Sequence, residues 1–147
     1  MPVLVCVIVI LLDQWVKYYI ASSLPLGTSI PVLPGIFHIT YIQNPGAAFG
    51  ILENQQTFFI LIGVAILIAA AWFYPRLKQE TAWVRYGSAM LLGGAVGNLI
   101  DRVWLGKVID FFDFRIWPIF NIADIAIVCG VGCIMYAIVF RMKETES

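Results

Sequence analysis

Charge is scarce in this chain. Asp, Glu, Lys and Arg make up only 12% of the 147 residues against 61% hydrophobic residues, and the mean hydropathy is +0.90. So little polar side-chain surface excludes a soluble globule. The net charge is zero and the basic residues form no stripe, which removes the electrostatic basis for nucleic acid binding. The single histidine, His38, lies in a strand-like segment, so neither a hydrolytic zinc site nor a Ser–His or Cys–His triad can be assembled around it. A Gly-rich phosphate loop with an adjacent Lys is also missing. Cys6, Cys129 and Cys133 all fall in apolar stretches, and Cys129 and Cys133 are one helical turn apart with no His beside them, a pattern of packing rather than of metal or redox work. No metal and no cofactor is expected.

What the chain does have is long apolar runs. Four of them, at about 3–22, 57–74, 83–103 and 120–140, approach the ~20 residues needed to cross a ~30 Å hydrocarbon layer. The expectation is one integral membrane domain over 1–147: mainly α, a four-transmembrane-helix bundle. A cleaved signal is the rival account of the first run. No Lys or Arg precedes that run, however, and Asp13 and Lys17 interrupt it, so it reads as a mature helix. Arg76, Lys78 and Arg85 surround the second connection and Arg141 and Lys143 mark the tail, while the 34 residues from Ser23 to Gln56 contain no Lys or Arg. This asymmetry puts both termini in the cytoplasm, although Lys107 and Arg115 in the third connection weaken it.

The first connection reads as folded. Phe37, Ile39 and Tyr41 alternate with His38 and Thr40 as in a half-buried strand, and Pro31, Pro34 and Gly35 supply turns before it. A small extracytoplasmic β-layer is expected over about 28–50. Alternation resumes from Val108 to Trp117, with Asp110 sharing a face with Val108, Phe112 and Phe114 while Asp113 and Arg115 point the other way.

In this topology the polar residues gather at one depth, in the outer leaflet. Asp13 and Lys17 lie in the outer half of the first helix, Asn98, Asp101 and Arg102 close the third, and Asn121 and Asp124 open the fourth, with Asp110 in the connection above. Spacings of three and four place Asp13 with Lys17, Asn98 with Asp101 and Arg102, and Asn121 with Asp124 on shared helical faces. Taken singly, each could be a snorkelling or helix-pinning residue. Four aspartates with too few cations to neutralise them read instead as a functional cluster. Two aspartates within hydrogen-bond reach cannot both ionise cheaply, so they share a proton: the charged partner activates water while the protonated one polarises a carbonyl. Apolar neighbours would raise the proton affinity of Asp110.

Five strings, in order, now carry a family resemblance: Asp13-Gln14-Trp15-Val16-Lys17, Asn44-Pro45-Gly46-Ala47-Ala48-Phe49-Gly50, Gly97-Asn98-Leu99-Ile100-Asp101-Arg102, Val108-Ile109-Asp110-Phe111, and Phe120-Asn121-Ile122-Ala123-Asp124. The chain resembles the bacterial lipoprotein signal peptidases, also called signal peptidase II, which are intramembrane aspartic proteases. The resemblance implies a catalytic dyad of Asp110 and Asp124. It implies a supporting and substrate-binding shell of Asp13, Lys17, Asn44, Gly46, Asn98, Asp101, Arg102 and Asn121, in which Arg102 and Asp101 act as a pair. It also implies residence in the bacterial cytoplasmic (inner) membrane, no cofactor, and cleavage of a prolipoprotein just before its diacylglyceryl-modified cysteine, with the cyclic depsipeptide globomycin as inhibitor. Gly93, Gly94, Ala95 and Gly97 permit close approach either of a substrate chain or of a neighbouring helix.

Two other classes compete. A proton-coupled transporter or channel subunit could use the same carboxylates, although they cluster in one leaflet instead of forming a path across the membrane. A noncatalytic assembly factor would use them as glue between helices. Flux without cleavage, or neither activity, would identify these alternatives.

Overall fold

The computed structural model describes residues 1–46 and 55–145, with side chains through residue 140. Residues 47–50 of the loop motif, and the side chains of Arg141 and Lys143 that contributed to the expected orientation, lie outside this description.

The element order is α1 (Pro2–Ser23), β1 (Ser29–Leu33), β2 (Phe37–Asn44), α2 (Gln56–Leu77), α3 (Ala82–Leu105), β3 (Val108–Asp113) and α4 (Ile122–Thr145). The fold is mainly helical with a small three-stranded sheet. Three helices, α1, α2 and α4, are long and apolar enough to cross a membrane. Their outer surfaces are apolar and exposed, with Leu11 64%, Trp72 76% and Val128 70% accessible, as lipid-facing side chains are.

α3 differs because it is the hub. It packs against α1, α2 and α4. Its buried residues are small or polar: Gly87, Ala89, Gly93, Gly94, Gly97, Asn98 and Asp101. A Cβ on Gly94 would collide with the carbonyl oxygen of Ala123 in α4, and one on Gly93 would sit 2.8 Å from Val9 Cβ and 2.9 Å from the Cys6 carbonyl oxygen in α1. Gly97 faces Asp13 in the same way, at 2.6 Å from Oδ2. The small-residue stripe is therefore taken up by helix packing. The same composition lowers the hydropathy of α3.

The sheet is antiparallel in the order β1-β2-β3. Pro31 lies within β1, opposite His38, rather than in a turn before it. An edge strand accommodates proline because one row of its N–H groups has no ladder partner. β3 is shorter than the alternation suggested: it ends at Asp113, and Arg115, two residues on, adopts φ 65, which turns the chain away before Trp117 can continue the strand. On one face Ile109 and Phe111 pack with Tyr41 and with Ile20 of α1, anchoring the sheet to the end of that helix.

Candidate active site

The chain between β3 and α4 folds back on itself. Phe111 N and Phe112 N donate to Phe120 O at 3.0 and 2.8 Å, and Phe120 N donates back to Phe112 O at 3.2 Å. This closure brings Asn121 beside Asp110. Asn121 Nδ2 donates to Asp110 Oδ1 at 2.7 Å, to Asn98 Oδ1 at 3.0 Å and to the Ile109 carbonyl at 3.2 Å.

The same residue also caps α4. Asp124 N donates to Asn121 Oδ1 at 3.0 Å, and Asn121 N donates to Asp124 Oδ2 at 3.2 Å, so Asn-x-x-Asp forms a reciprocal capping box. Asn121 thus holds both aspartates, Asp110 through its amide nitrogen and Asp124 through its backbone. Each carboxylate has a further amide donor: Asn44 Nδ2 reaches Asp110 Oδ2 at 3.0 Å, and Asn98 Nδ2 reaches Asp124 Oδ1 at 2.8 Å. Gly46 N in turn donates to Asn44 Oδ1 at 3.0 Å, fixing which end of the Asn44 amide faces Asp110.

A second layer lies beneath. Lys17 Nζ meets Asp13 Oδ2 at 2.8 Å, Asp101 Oδ2 at 2.9 Å and Asn98 Oδ1 at 3.0 Å, matching the three donors of an ammonium to three acceptors. Asp13 is fully buried and Lys17 is 2% accessible. Charges this deep persist only when paired and hydrogen-bonded, and here both conditions hold. The same two carboxylates also hold backbone: Asp13 Oδ1 accepts from Ala123 N of α4 at 2.9 Å, and Asp101 Oδ2, besides meeting Lys17, accepts from Ile109 N of β3 at 3.0 Å. Asp13 and Asp101 therefore fix the two segments that carry Asp124 and Asp110.

Asp101 pairs with Lys17 and not with Arg102. Neighbours on a helix point about 100° apart, so Asp101 turns inward while Arg102 turns toward the cleft. There the Arg102 guanidinium donates to the Asn98 carbonyl at 3.4 Å and lies 4.7 Å from the Phe59 ring centroid. Two supporting residues escape a reading based on charge. Gln14 Nε2 donates to Asp101 Oδ1 at 3.0 Å and to the Gly97 carbonyl at 3.1 Å, and Gln56 Nε2 donates to the Arg102 carbonyl at 2.8 Å. Gln14 stands next to Asp13 in a polar string, and that was its available signal.

Asp110 and Asp124 line one cleft of about 430 Å³. Asn44, Gly46, Asn98 and Arg102 line its polar end, and Ile62, Ile66, Leu99 and Val128 of α2, α3 and α4 line the rest. Burial pushes the Asp110 carboxyl up to about 7, and the nearby Asp124 charge adds to the rise; the hydrogen bonds from Asn44 and Asn121 pull the other way. A carboxyl so placed exchanges its proton near neutrality, which suits acid–base work. Asp113, at the end of the same strand, behaves oppositely. Burial pulls it upward, but hydrogen bonds from Thr40 and Arg115, together with the Arg115 charge, hold it below its ordinary value. The His38 ring belongs to the sheet, with Nδ1 3.0 Å from Ser29 Oγ, and takes no part in the cleft.

A family model described as signal peptidase (SPase) II matches residues 5–140 of this sequence. The chain belongs to the signal peptidase II family. It is 47% identical over 143 residues to the lipoprotein signal peptidase of Moorella thermoacetica, spanning 96% of this chain and 94% of that one. It is 44% identical to the lipoprotein signal peptidase of Brevibacillus brevis, spanning 97% of both. A solved bacterial membrane enzyme structure superposes with a TM-score of 0.91 at 39% identity, covering 97% of this chain and 90% of its own. Signal peptidase II enzymes are aspartic proteases, so the carboxylate cleft is set in a fold whose chemistry uses aspartates.

Proposed function

We propose that this chain is an intramembrane aspartic endopeptidase that removes the signal peptide from diacylglyceryl-modified prolipoproteins by cutting before the lipidated cysteine, with Asp110 and Asp124 as the dyad. The observation that carries the assignment of the dyad is that a single residue, Asn121, binds both carboxylates at the polar end of an otherwise apolar cleft. The pair carries one proton and holds a water between its two members. The ionised aspartate takes a proton from that water as the oxygen attacks the scissile carbonyl carbon. The protonated aspartate donates to the carbonyl oxygen, stabilising the developing oxyanion, and a proton then passes to the departing cysteine amine. Asn44 and Asn98 keep the carboxylates in register, and Arg102 at the polar end positions the substrate backbone.

The apolar walls contributed by α2 and α4 suit an acylated substrate arriving sideways from lipid. In this reading α3 is the fourth span, α1 and α3 run outward, α2 and α4 run inward, and both termini are cytoplasmic in the inner membrane. The dyad then sits in the outer leaflet beneath an extracytoplasmic sheet. Aromatic residues support two interfacial belts: Trp15, Tyr18 and Trp104 are exposed at the dyad end, and Trp72, Tyr74 and Trp83 at the other. Globomycin is expected to occupy the same cleft. A transport role loses its ground once the chain stands among peptidases.

Replacing Asp110 or Asp124 by Asn in purified, reconstituted enzyme tests the proposal. Cleavage of a diacylglyceryl-modified precursor should fall by at least about 10³-fold, the scale on which groups that act as a unit fail together. Near-normal turnover by either variant, or equal cleavage of the unlipidated precursor by the unaltered enzyme, would refute it.

A further inference from the structure

A second cavity, of about 340 Å³, opens at the end of the bundle away from the aspartates, between the start of α1, the end of α2 and the start of α3. Its volume falls within the roughly 300–1,000 Å³ of pockets that hold small molecules. Its inner wall is apolar, formed by Val3, Cys6, Leu77, Ala89 and Leu92. Arg85 and Leu92, both lining it, are seven residues apart on α3, so the wall runs ~10 Å into the bundle at 1.5 Å per residue.

Its polar lining carries one sign of charge. Lys78 and Arg85 contribute to it, and among the described residues no carboxylate does. Lys78 Nζ is held 4.5 Å from the Tyr74 ring centroid, and Tyr74 also lines the cavity. Arg85 makes no ion pair among the described residues. A deep apolar slot beside two cations complements one class of ligand, a negatively charged headgroup joined to an acyl chain.

We propose that this groove is a binding site for an anionic phospholipid, its phosphate held by Lys78 and Arg85 and one acyl chain lying against Cys6, Ala89 and Leu92. This goes beyond peptide cleavage and requires only that the chain sits in a bilayer. The site is at the opposite end of the helices from the candidate dyad, so its lipid is a resident ligand and not substrate.

Native mass spectrometry of the full-length enzyme in detergent, titrated with phosphatidylglycerol, with phosphatidylcholine of the same acyl chains, and with inorganic phosphate, tests the site. One equivalent of phosphatidylglycerol should bind in preference to phosphatidylcholine. The double variant K78Q/R85Q should bind it roughly 30-fold more weakly, about fivefold for each basic group. Arg76→Gln should bind normally, because Arg76 lies over the Phe73 ring and lines a different cavity. Ser88→Phe, which fills the groove and leaves its charge intact, should also weaken binding. Equal binding of the two lipids would overturn the proposal in favour of apolar association without headgroup recognition, and a loss with Arg76→Gln as large as with K78Q/R85Q would overturn it in favour of diffuse attraction to the basic end of the bundle. Displacement of the lipid by millimolar inorganic phosphate would overturn it in favour of a simple anion site. Cleavage of the lipidated precursor, measured in parallel, reports on the dyad separately.

Discussion

Asp110→Asn should abolish cleavage and yet make the protein more stable, with a pH dependence that identifies the cause. The Asp110 carboxyl is raised from 3.8 to about 7 in the fold, and the residue is only 2% accessible. Its folded-state value therefore lies above its unfolded value. Stability associated with the protonated form is complete below pH ~4 and is lost as the pH rises toward ~7, because over that range the folded chain binds more protons than the unfolded chain. About three pKa units at 1.36 kcal/mol each give a penalty on the order of 4 kcal/mol by pH 7, and it stays constant above that. The Asn variant escapes this penalty. It loses about 1 kcal/mol in exchange, because Asp110 accepts from the amide groups of both Asn44 and Asn121, and an Asn NH2 must face one of those donors. The net gain should therefore be about zero or slightly negative at pH 4 and roughly 3 kcal/mol at pH 7 and above. Thermal denaturation of both proteins in one detergent, followed by intrinsic tryptophan fluorescence at half-unit pH steps, measures the difference. A difference that stays the same from pH 4 to 8, or a variant less stable than the parent at pH 8, would show that Asp110 carries no burial penalty and would remove the physical basis for its proton.

Three further outcomes follow from the same geometry. If the dyad works with one proton, kcat/KM for a lipidated precursor should fall as the pH passes about 7, and Asn44→Ala, which deletes a hydrogen bond favouring the charged form of Asp110, should move that limb to higher pH; a flat profile to pH 9 would contradict the shared proton. Lys17→Met leaves Asp13 and Asp101 buried without their cation and should destabilise the protein by about 3–5 kcal/mol, seen as loss of folded material on size-exclusion chromatography, whereas survival of a well-folded, active Lys17→Met enzyme would contradict the assigned network. Gly94→Ala forces a methyl into the Ala123 carbonyl and should lower the melting temperature. Gly132→Ala, which meets nothing within 4 Å, should leave it unchanged or raise it, by up to about 1 kcal/mol of helix propensity; the reverse order would discredit the α3–α4 packing.

The aspartates were legible in the sequence because a carboxylate beside an apolar run is conspicuous on cost alone, and spacings of three and four fix which polar side chains share a helical face. What those spacings do not fix is the partner across the bundle. Asp101 and Arg102, which the family resemblance implies act as a pair, point to different sides of α3, and Asp101 meets a lysine 84 positions earlier. Gln14 and Gln56 carry no charge, so nothing in their cost drew attention to them, although each holds a backbone carbonyl at the site. The strand carrying Asp110 was visible as alternation. Its end was not, because the turn at Arg115 depends on a left-handed backbone that arginine rarely adopts and that the Asp113 carboxylate supports by accepting from both Arg115 N and its guanidinium, each at 2.9 Å. Gly93 and Gly94 announced close approach without saying of what. Only the facing residues, Val9 and Ala123, identify the neighbours as helices.

The way cations are allotted explains how four aspartates can crowd one end of a bundle without losing their chemistry. Lys17 could quench a catalytic carboxylate if it were free to reach one. Its three donors are instead directed to Asp13, Asp101 and the Asn98 side-chain Oδ1, and the Arg102 guanidinium is directed to the Asn98 backbone carbonyl and the Phe59 ring. The side chains that hydrogen-bond Asp110 and Asp124 directly are amides: Asn44, Asn98 and Asn121. An amide orients a carboxylate and satisfies its lone pairs, but it brings no positive charge, so the repulsion between two such groups in an apolar cleft remains. A single proton relieves that repulsion at the least cost. The buried ion pairs beneath the cleft thus fix the geometry of the site, while the amides above them leave its charge to be balanced by the single proton of the proposed dyad.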